Sequence, residues 1–416
     1  MIRFCVLLAL LLPVTGYAHY IPEDAKLEVS ASVVATWRSA SLVDKYEFWQ
    51  IPGTMMGGHA WPQEKGVSVD EATLTVGSRI NENVFGVIEI GSHGGGDDDH
   101  SDEVELQHAY LGYVCCDATG PWVLEAGKMS AVFSPSLASH AADRWISDSP
   151  LINDVFFGRD FHDEGVRFWW HETEGVSAGA EVWRGKAFPA TDTGDTNWDV
   201  FARYQWQGER LTLSGGGWFY RASASSRADD RYGGTHIHTP VTPPGVTATL
   251  FPDTRFTGDT DIAGLHGALR YKPQPHWQLG VEAELMQMDM DGILHDSTGR
   301  QASVDSDQIG GWVQPYLQWR RHTVGLRGEW LSTDNHLVGA AAPVLATDSG
   351  LANPQDHDPE RYTAFWHWQW RDNLALRTEV TEDRTLPESD LRWSVGVVWS
   401  GRLWPSASGA SGGHQH

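Results

Sequence analysis

Regular alternation of apolar and polar residues is the dominant pattern along this chain. In Trp277–Leu285, tryptophan, leucine, valine and alanine alternate with glutamine, glycine and glutamate, and Leu391–Val397 shows the same period of two. This period puts successive side chains on opposite faces of a β-strand. The pattern therefore predicts a protein built from β-strands, each with one apolar and one polar face.

The alternating segments predict sixteen strands, most of them near the length that a tilted membrane-crossing strand needs. Beyond the N-terminal segment, no apolar run reaches the ~18 residues of a membrane-spanning helix. The predicted strands are 26–38, 70–80, 83–91, 103–114, 120–128, 164–171, 175–184, 197–207, 209–219, 261–272, 276–289, 306–319, 322–332, 360–371, 373–383 and 390–400.

The predicted connections alternate between long loops and short turns. Turns such as Asp117–Gly120 and Pro273–Pro275 separate the long loops, which are 39–69, 92–102, 129–163, 185–196, 220–260, 290–305, 333–359 and 384–389. A bacterial outer-membrane barrel has this arrangement, whereas a soluble β-sandwich has no reason to put its long loops at one end. We therefore expect an all-β, transmembrane antiparallel β-barrel around an aqueous lumen.

The N-terminus has the layout of a secretory signal peptide. Arg3 precedes the apolar run Phe4–Pro13, and a small-residue cleavage site ends at Ala18. The segment between this site and the first strand is too short for a plug domain. The predicted division of the chain is a signal peptide at 1–18, a barrel at 19–405 and a flexible C-terminal tail at 406–416.

Composition agrees with a membrane barrel and narrows the partners. The chain has 21 Trp and 44 Gly, and tryptophan is typical of the aromatic girdles at a membrane surface. The mean hydropathy of −0.36 fits a barrel in which only alternate positions are apolar. Without Arg3, 29 basic residues face 55 acidic ones, for a net charge of about −26. This charge argues against a nucleic-acid partner and favours cations.

The less apolar register places charges of both signs on the lumen face. In water these charges stay hydrated and create a transverse field; the alternative is that they pair across strands and brace the wall. The residues predicted to line the pore are Arg79, Glu89, Glu105, Glu125, Arg167, Glu181, Asp199, Arg203, Arg270, Glu282, Glu284, Arg327, Glu329, Arg377, Glu379 and Arg392.

The third long loop, 129–163, is rich in aromatic residues, which is unusual for a fully exposed loop. We expect it to fold into the pore and narrow it; the alternative is an extracellular lid that contacts lipopolysaccharide. The candidate constriction residues in this loop are Asp143, Arg144, Asp148 and Asp154.

The second long loop carries candidate metal ligands. Imidazole and carboxylate groups together suit zinc or another divalent cation, although an acidic loop is more often simply solvated. The candidate ligands are His93, Asp97, Asp98, Asp99 and His100. No other cofactor is expected. The chain shows no nucleophile elbow and no isolated carboxylate pair, so we do not expect an enzyme.

One block carries a family resemblance. It contains Gly127-Lys128-Met129, Asp148-Ser149-Pro150-Leu151, Phe156-Phe157-Gly158 and Phe188-Pro189-Ala190. Across 92–190 the chain resembles a group of porin-like outer-membrane proteins of proteobacteria. That group is distantly similar to phosphate-selective porins and is often associated with the acquisition of zinc or other metals. Because the loops of this chain are acidic, phosphate selectivity is not carried over.

The resemblance also bears on assembly. The family type ends on its last strand at an aromatic residue, the place that Trp399 occupies here, with seventeen residues after it. The barrel-assembly machinery, outer-membrane lipid and lipopolysaccharide are the implied partners, and a homotrimer is the implied assembly. The expected function is passive diffusion of small hydrophilic solutes, with a preference for cations. The alternatives are a zinc-capturing receptor and a non-conducting structural barrel.

Overall fold

The computed structural model describes residues 27–40, 49–63, 65–93, 104–115, 122–171, 175–190, 197–229, 231 and 254–404. These residues form a closed barrel of sixteen antiparallel strands, in which each strand pairs with its neighbours in sequence and β1 pairs with β16. The predicted all-β barrel is confirmed. No helix among these residues is long and apolar enough to cross a membrane.

Each of the sixteen predicted segments overlaps one strand, and two short α-helices lie in the connections of the described chain. The helices are α1 (Leu151–Phe156) and α2 (Ala342–Ser349). The strands are β1 (Leu27–Arg38), β2 (Gly66–Arg79), β3 (Val84–His93), β4 (Glu105–Cys115), β5 (Trp122–Ser130), β6 (His162–His171), β7 (Val176–Trp183), β8 (Asn197–Gln207), β9 (Leu211–Arg227), β10 (Arg255–Gln274), β11 (Trp277–His295), β12 (Gln301–Trp319), β13 (His322–Val338), β14 (Glu360–Arg371), β15 (Leu374–Arg384) and β16 (Asp390–Trp404).

Alternate residues of each strand lie on opposite sides of the wall. In β16, Leu391, Trp393 and Val395 are 58%, 53% and 48% exposed, whereas Arg392 and Ser394 between them are buried. Neighbouring strands repeat this pattern, so exposed apolar side chains form a band around the outside. The structure therefore confirms that the less apolar register faces inward.

The central strands extend further toward the long-loop end than predicted. The segment between β11 and β12 is only the five-residue turn 296–300, so the predicted long loop 290–305 is wrong. Likewise, the predicted loop 333–359 contains the end of β13 and the helix α2. The strict long-short alternation of connections therefore fails at this point of the barrel.

An inversion of polarity explains the longer strands. In the upper part of β11, Met286, Met288 and Met290 face inward and are buried, whereas Asp289 and Asp291 are exposed on the outside. The period of two is unbroken, but here the inner face is apolar and the outer face is acidic. A strand that leaves an apolar band and enters water, while its inner face packs against a core, requires this exchange.

The last strand also ends later than predicted. β16 continues to Trp404, which pairs with Val29 of β1. Trp404, rather than Trp399, is therefore the aromatic residue that ends the last strand. The four residues beyond the predicted end at 400 are held because β1 offers backbone hydrogen-bonding partners along this stretch.

Part of the lumen is a packed apolar core rather than open water, which corrects the expectation of a wholly aqueous lumen. The segments 49–63 and 131–161 fold inside the barrel and contribute buried side chains to this core. Phe133 is completely buried, with its ring centroid 4.7 Å from that of Trp218 and 5.6 Å from that of Tyr220. Burial of such aromatic surface fixes the loops inside the barrel.

Candidate functional site

The segment 131–161, called the inward loop below, is attached to the barrel wall through its own backbone. Four of its N–H groups donate to wall carboxylates, which are charged and therefore strong acceptors. The pairs are Val132 to Glu181, Ala141 to Glu71, Ser147 to Glu379 and Leu151 to Glu329, at 3.3, 3.1, 2.8 and 2.7 Å. The inward position predicted for this loop is thus observed.

Wall arginines bind the carbonyl groups of the same loop. Arg377 donates to the carbonyl oxygens of Ala141 and Arg144 at 3.1 and 3.2 Å. Arg361 donates to that of Ser149, and Arg327 to that of Asp148. Carboxylates and guanidinium groups of the wall therefore satisfy both kinds of backbone group in a loop that has little secondary structure of its own.

The wall charges also pair with each other across neighbouring strands. Arg167 of β6 lies opposite Glu125 and Glu181 in the strand register and forms an ion pair with each. On the other side of the barrel, Glu329 accepts from Arg327 and Arg361, each at 2.9 Å. For these residues the bracing alternative describes the structure, because directly opposite charges on one face of a sheet attract each other.

Most of the charges predicted to line the lumen are therefore not in open water. This differs from the prediction that they stay hydrated. Eleven of the sixteen are buried, namely Glu89, Glu125, Arg167, Glu181, Asp199, Glu284, Arg327, Glu329, Arg377, Glu379 and Arg392. Five keep contact with solvent, namely Arg79, Glu105, Arg203, Arg270 and Glu282. The sequence pattern gives the face of each residue, but not the loop that covers it.

The two sides of the wall differ in charge. Buried arginines on β1 and β13–β16 are Arg38, Arg327, Arg361, Arg377 and Arg392, while buried carboxylates on β2–β8 include Glu71, Glu89, Glu125, Glu181 and Asp199. The contrast is reduced by three buried carboxylates on the first side, those of Glu329, Glu379 and Asp383, and by Arg167 on the second. The remaining separation gives a transverse field across the lumen, where low-dielectric walls strengthen it.

A polar cavity of about 70 Å³ lies between the inward loop, the segment 49–63 and the wall, and it has room for several water molecules. Arg144, Asp148 and Asp154, three of the predicted constriction residues, line it. Asp143 is exposed and is not part of the lining. Charged or imidazole residues on the lining that were not among the predicted pore residues are Asp70, Glu71, His140, Arg159, Asp160, His162, Arg361 and Asp383.

A β-bulge explains why two of these residues could not be predicted. Asp70 and Glu71 are consecutive in β2, so simple alternation would place them on opposite faces. The register shifts between Val34 and Ala35 of β1, where Asp70 is passed over, and both carboxylates are buried. A bulge puts two successive residues opposite one on the partner strand, which brings both to the inside here.

Neighbouring charges keep Asp148 and His140, two residues of the cavity lining, in their charged forms. Burial disfavours the charged form of Asp148, but Arg392 and Arg361 hold the pKa of this carboxyl below its usual range. Burial also acts against protonation of His140, yet Glu71, together with Glu89, raises the pKa of this imidazole to about 10. The cavity therefore contains fixed charges of both signs at neutral pH.

The metal hypothesis is not supported within the part of the chain that the structure describes. Three imidazoles lie close together: the ring centroid of His108 is 6.0 Å from that of His140 and 5.4 Å from that of His162. Nevertheless, no group of three or more His, Cys, Asp or Glu side chains there is arranged to hold a metal ion. Of the predicted ligands, His93 ends β3, and Asp97 to His100 lie outside the described residues.

The two internal segments touch each other through glycines. Gly158 has φ +62°, and a Cβ atom there would lie 2.7 Å from the carbonyl oxygen of Gly57 and 2.9 Å from Cα of Gly58. The N–H of His59 donates to the Gly158 carbonyl oxygen at 2.9 Å. The absence of a side chain is what allows this close approach of two backbones.

We expect Gly158→Ala to separate the two internal segments and make the inward loop more sensitive to trypsin in the folded barrel. The new Cβ must move backbone atoms, in addition to the ~1–2 kcal/mol cost of a left-handed alanine. Gly299→Ala is a matched control, because Gly299 has φ +84° and open space around it. Equal proteolysis of the two variants would mean that the glycine contact does not hold the loop.

No family model matches this chain, and no curated protein matches it. Solved structures do. A loop L8 deletion mutant of OmpT, an outer membrane protein of Vibrio cholerae, matches with a TM-score of 0.50 and 9% identity, covering 91% of this chain and 100% of that chain. OprB of Pseudomonas putida at high pH matches with a TM-score of 0.48 and 11% identity, over 91% and 94%.

The outer membrane channel DcaP of Acinetobacter baumannii matches with a TM-score of 0.47 and 12% identity, over 91% and 98% of the two chains. Identities this low carry no information about substrates or partners. The likeness to the Vibrio protein extends over the whole of that chain and agrees with the sixteen-stranded ring described above. What it shows is the fold: this chain is similar in architecture to a bacterial outer-membrane protein.

Proposed function

We propose that this chain is an outer-membrane channel for the passive diffusion of small hydrophilic solutes. The observation that carries the proposal is a closed barrel, apolar outside, whose lumen is narrowed by a loop that the charged wall binds on both its donor and acceptor groups. A structural barrel has no need of a charged inner wall that binds such a loop. A channel needs both a wall and a constriction.

The outer surface supports the membrane part of the proposal. On β11 the outward residues from Trp277 to Leu285 are all apolar, which matches a band of about 25 Å for a tilted strand. At the short-turn end, Trp277 and Trp319 are adjacent, and Trp366, Trp368 and Trp370 follow each other on the outer face of β14. Tryptophan rows of this kind are typical of a membrane–water interface.

The anchoring of the inward loop supports a passage of fixed, small size. The buried ion pairs of the wall and the internal aromatic core both hold the loop. Release of the loop would leave buried charges unpaired and would expose the apolar surface of the core to water. The cavity at the constriction admits only small molecules. We therefore infer that the channel does not open and close, and that it selects solutes by their size and polarity.

Selectivity is a finer part of the proposal. A net charge of −25 on the whole chain favours cations at the mouths of the channel. Zinc capture by His93 and the residues Asp97 to His100 is a second hypothesis, supported only by their donor chemistry. Assembly as a homotrimer, contact with lipopolysaccharide, insertion by the barrel-assembly machinery and the absence of enzymatic activity also remain predictions.

The purified, folded chain is expected to form conducting pores in a planar bilayer, with a reversal potential in a potassium chloride gradient that reports cation preference. A heat-modifiable shift of the unboiled sample on a gel shows that the barrel is folded. A folded barrel that never conducts would reject the channel and favour the structural alternative. Calorimetric zinc binding that is lost when His93 and Asp97 to His100 are replaced would support the receptor hypothesis.

A further inference from the structure

Arg144 differs from the other arginines that line the cavity. Arg159 forms an ion pair with Asp154 at 2.9 Å, and Arg361 and Arg392 form pairs with wall or loop carboxylates. The guanidinium group of Arg144, on the inward loop, makes no hydrogen bond and no ion pair with any described residue, and its Nε is buried. Arg144 is half-buried, so its Nε–H is a buried donor without an acceptor, and the guanidinium carries four further N–H donors.

Arg144 forms no ion pair with the carboxylates around it, and its electrostatic surroundings do not favour its charge. Burial disfavours its charged form, and although Glu71 favours it, Arg377, Arg327 and Arg159 oppose it, so the pKa of Arg144 is lowered. Arginine nevertheless stays protonated in proteins. A bound anion would stabilise this cation, and the fork of a guanidinium matches a planar carboxylate with two parallel hydrogen bonds.

A second polar group on the cavity lining also lacks a partner. The hydroxyl of Ser149 makes no hydrogen bond with the described part of the chain, and Ser149 is only 5% exposed. The Nε of Arg392, also on the lining, is in the same state. Leaving a buried donor without an acceptor costs free energy, so such groups are expected to have an acceptor.

We propose that this cavity binds the carboxylate group of a small solute, with Arg144 as the charged anchor and Ser149 as a hydrogen-bond donor. The inference rests on the proposed function and names the solute class that the constriction recognises. A carboxylate carries one negative charge. The lining carries six carboxylates, those of Asp70, Glu71, Asp148, Asp154, Asp160 and Asp383, against four guanidinium groups and the protonated imidazole of His140. Because the carboxylates are in excess, the second negative charge of a phosphate dianion is disfavoured.

Propionate is a suitable probe, and propionamide is its neutral counterpart of the same shape. We expect the folded protein in detergent to bind propionate in a calorimetric titration, and to bind propionamide and inorganic phosphate much more weakly. Arg144→Gln should weaken propionate binding by about tenfold or more, because a charged, forked donor is lost. Arg144→Lys, which keeps the charge but loses the fork, should lie in between.

Arg270→Gln is the matched control, because Arg270 faces the lumen, pairs with Glu282 at 3.1 Å and is not on the cavity lining. It should bind propionate as the unchanged protein does. Unchanged binding in Arg144→Gln, or equal binding of propionamide or phosphate, would overturn the carboxylate site. The gel shift shows that each variant is folded.

The same proteins in a planar bilayer separate this inference from the proposed function. With potassium propionate on one side and potassium chloride on the other, Arg144→Gln should lower the permeability of propionate relative to chloride. A barrel that binds propionate but does not conduct would reject the channel and keep the site. A barrel that conducts and does not bind propionate would reject the site and keep the channel.

Discussion

Replacement of Glu329 by glutamine is expected to release the inward loop and raise the single-channel conductance. Glu329 is buried and accepts hydrogen bonds from Arg327, from Arg361 and from the N–H of Leu151 at the start of α1. Glutamine has nearly the same shape but no charge. Two buried guanidinium groups then lose their common counter-charge, which costs about 3–5 kcal/mol.

A penalty of this size shifts the equilibrium between the anchored and released states of the loop by about two to four orders of magnitude. The barrel itself should remain, because its strands are held by backbone hydrogen bonds. We therefore expect a folded barrel on an unboiled gel, together with larger and noisier single-channel currents. The loop should also become accessible to trypsin from the solution.

Glu282→Gln is the matched control for this experiment. Glu282 also faces the lumen and pairs with an arginine, but that pair is partly exposed, and Glu282 accepts no hydrogen bond from the backbone of the inward loop. Its replacement should leave the size of the current steps nearly unchanged. If Glu329→Gln conducts like the unchanged protein and resists trypsin equally, then the ion pairs do not hold the constriction in place.

Replacement of Phe133 by alanine is expected to destabilise the internal core by about 3–5 kcal/mol, the usual cost of removing a large buried aromatic side chain. Phe133 is fully buried, and its ring lies near those of Phe157, Phe161, Trp218 and Tyr220. The cavity that remains cannot close easily, because these rings are fixed on opposite sides, by the loop and by the wall.

The effect can be measured as the urea concentration at which tryptophan fluorescence reports loss of the folded state. Phe133→Leu, which keeps part of the volume, should lose less than half as much. Phe219→Ala is the control on the other face, since Phe219 is adjacent to Trp218 in β9 but lies on the outside, near Trp198. Equal losses at Phe133 and Phe219 would show that the internal core is not a special source of stability.

Local patterns were sufficient for the architecture and for the faces of the wall. A period of two in each segment gives a strand with an inner and an outer face, whatever the rest of the molecule does. The prediction that Glu125, Arg167 and Glu181 share one face needed no more than that. Their pairing required the register between β5, β6 and β7, which sequence alternation does not specify.

The role of the inward loop was only partly predictable. Its aromatic content indicated burial, and Arg144, Asp148 and Asp154 do line the cavity. Asp154 pairs within the loop, with Arg159, whereas the partner of Asp148 is Arg392, from a strand more than two hundred positions away. Contacts of this range depend on closure of the barrel, so the lack of a partner for Arg144 could not be read from the sequence.

By itself, then, the sequence determined an all-β barrel of sixteen strands with a polar inner and an apolar outer face, because alternation is a local property of each strand. Tertiary structure alone decided where that rule is reversed. Met288 and Asp289 exchange the usual faces where β11 leaves the apolar band, and the bulge at Asp70 and Glu71 turns both carboxylates inward. It also decided which charges meet water, since the inward loop covers most of them. The inward loop covering the wall and the closure of the barrel both bring together residues that are far apart along the chain. No local pattern of the sequence encodes such contacts.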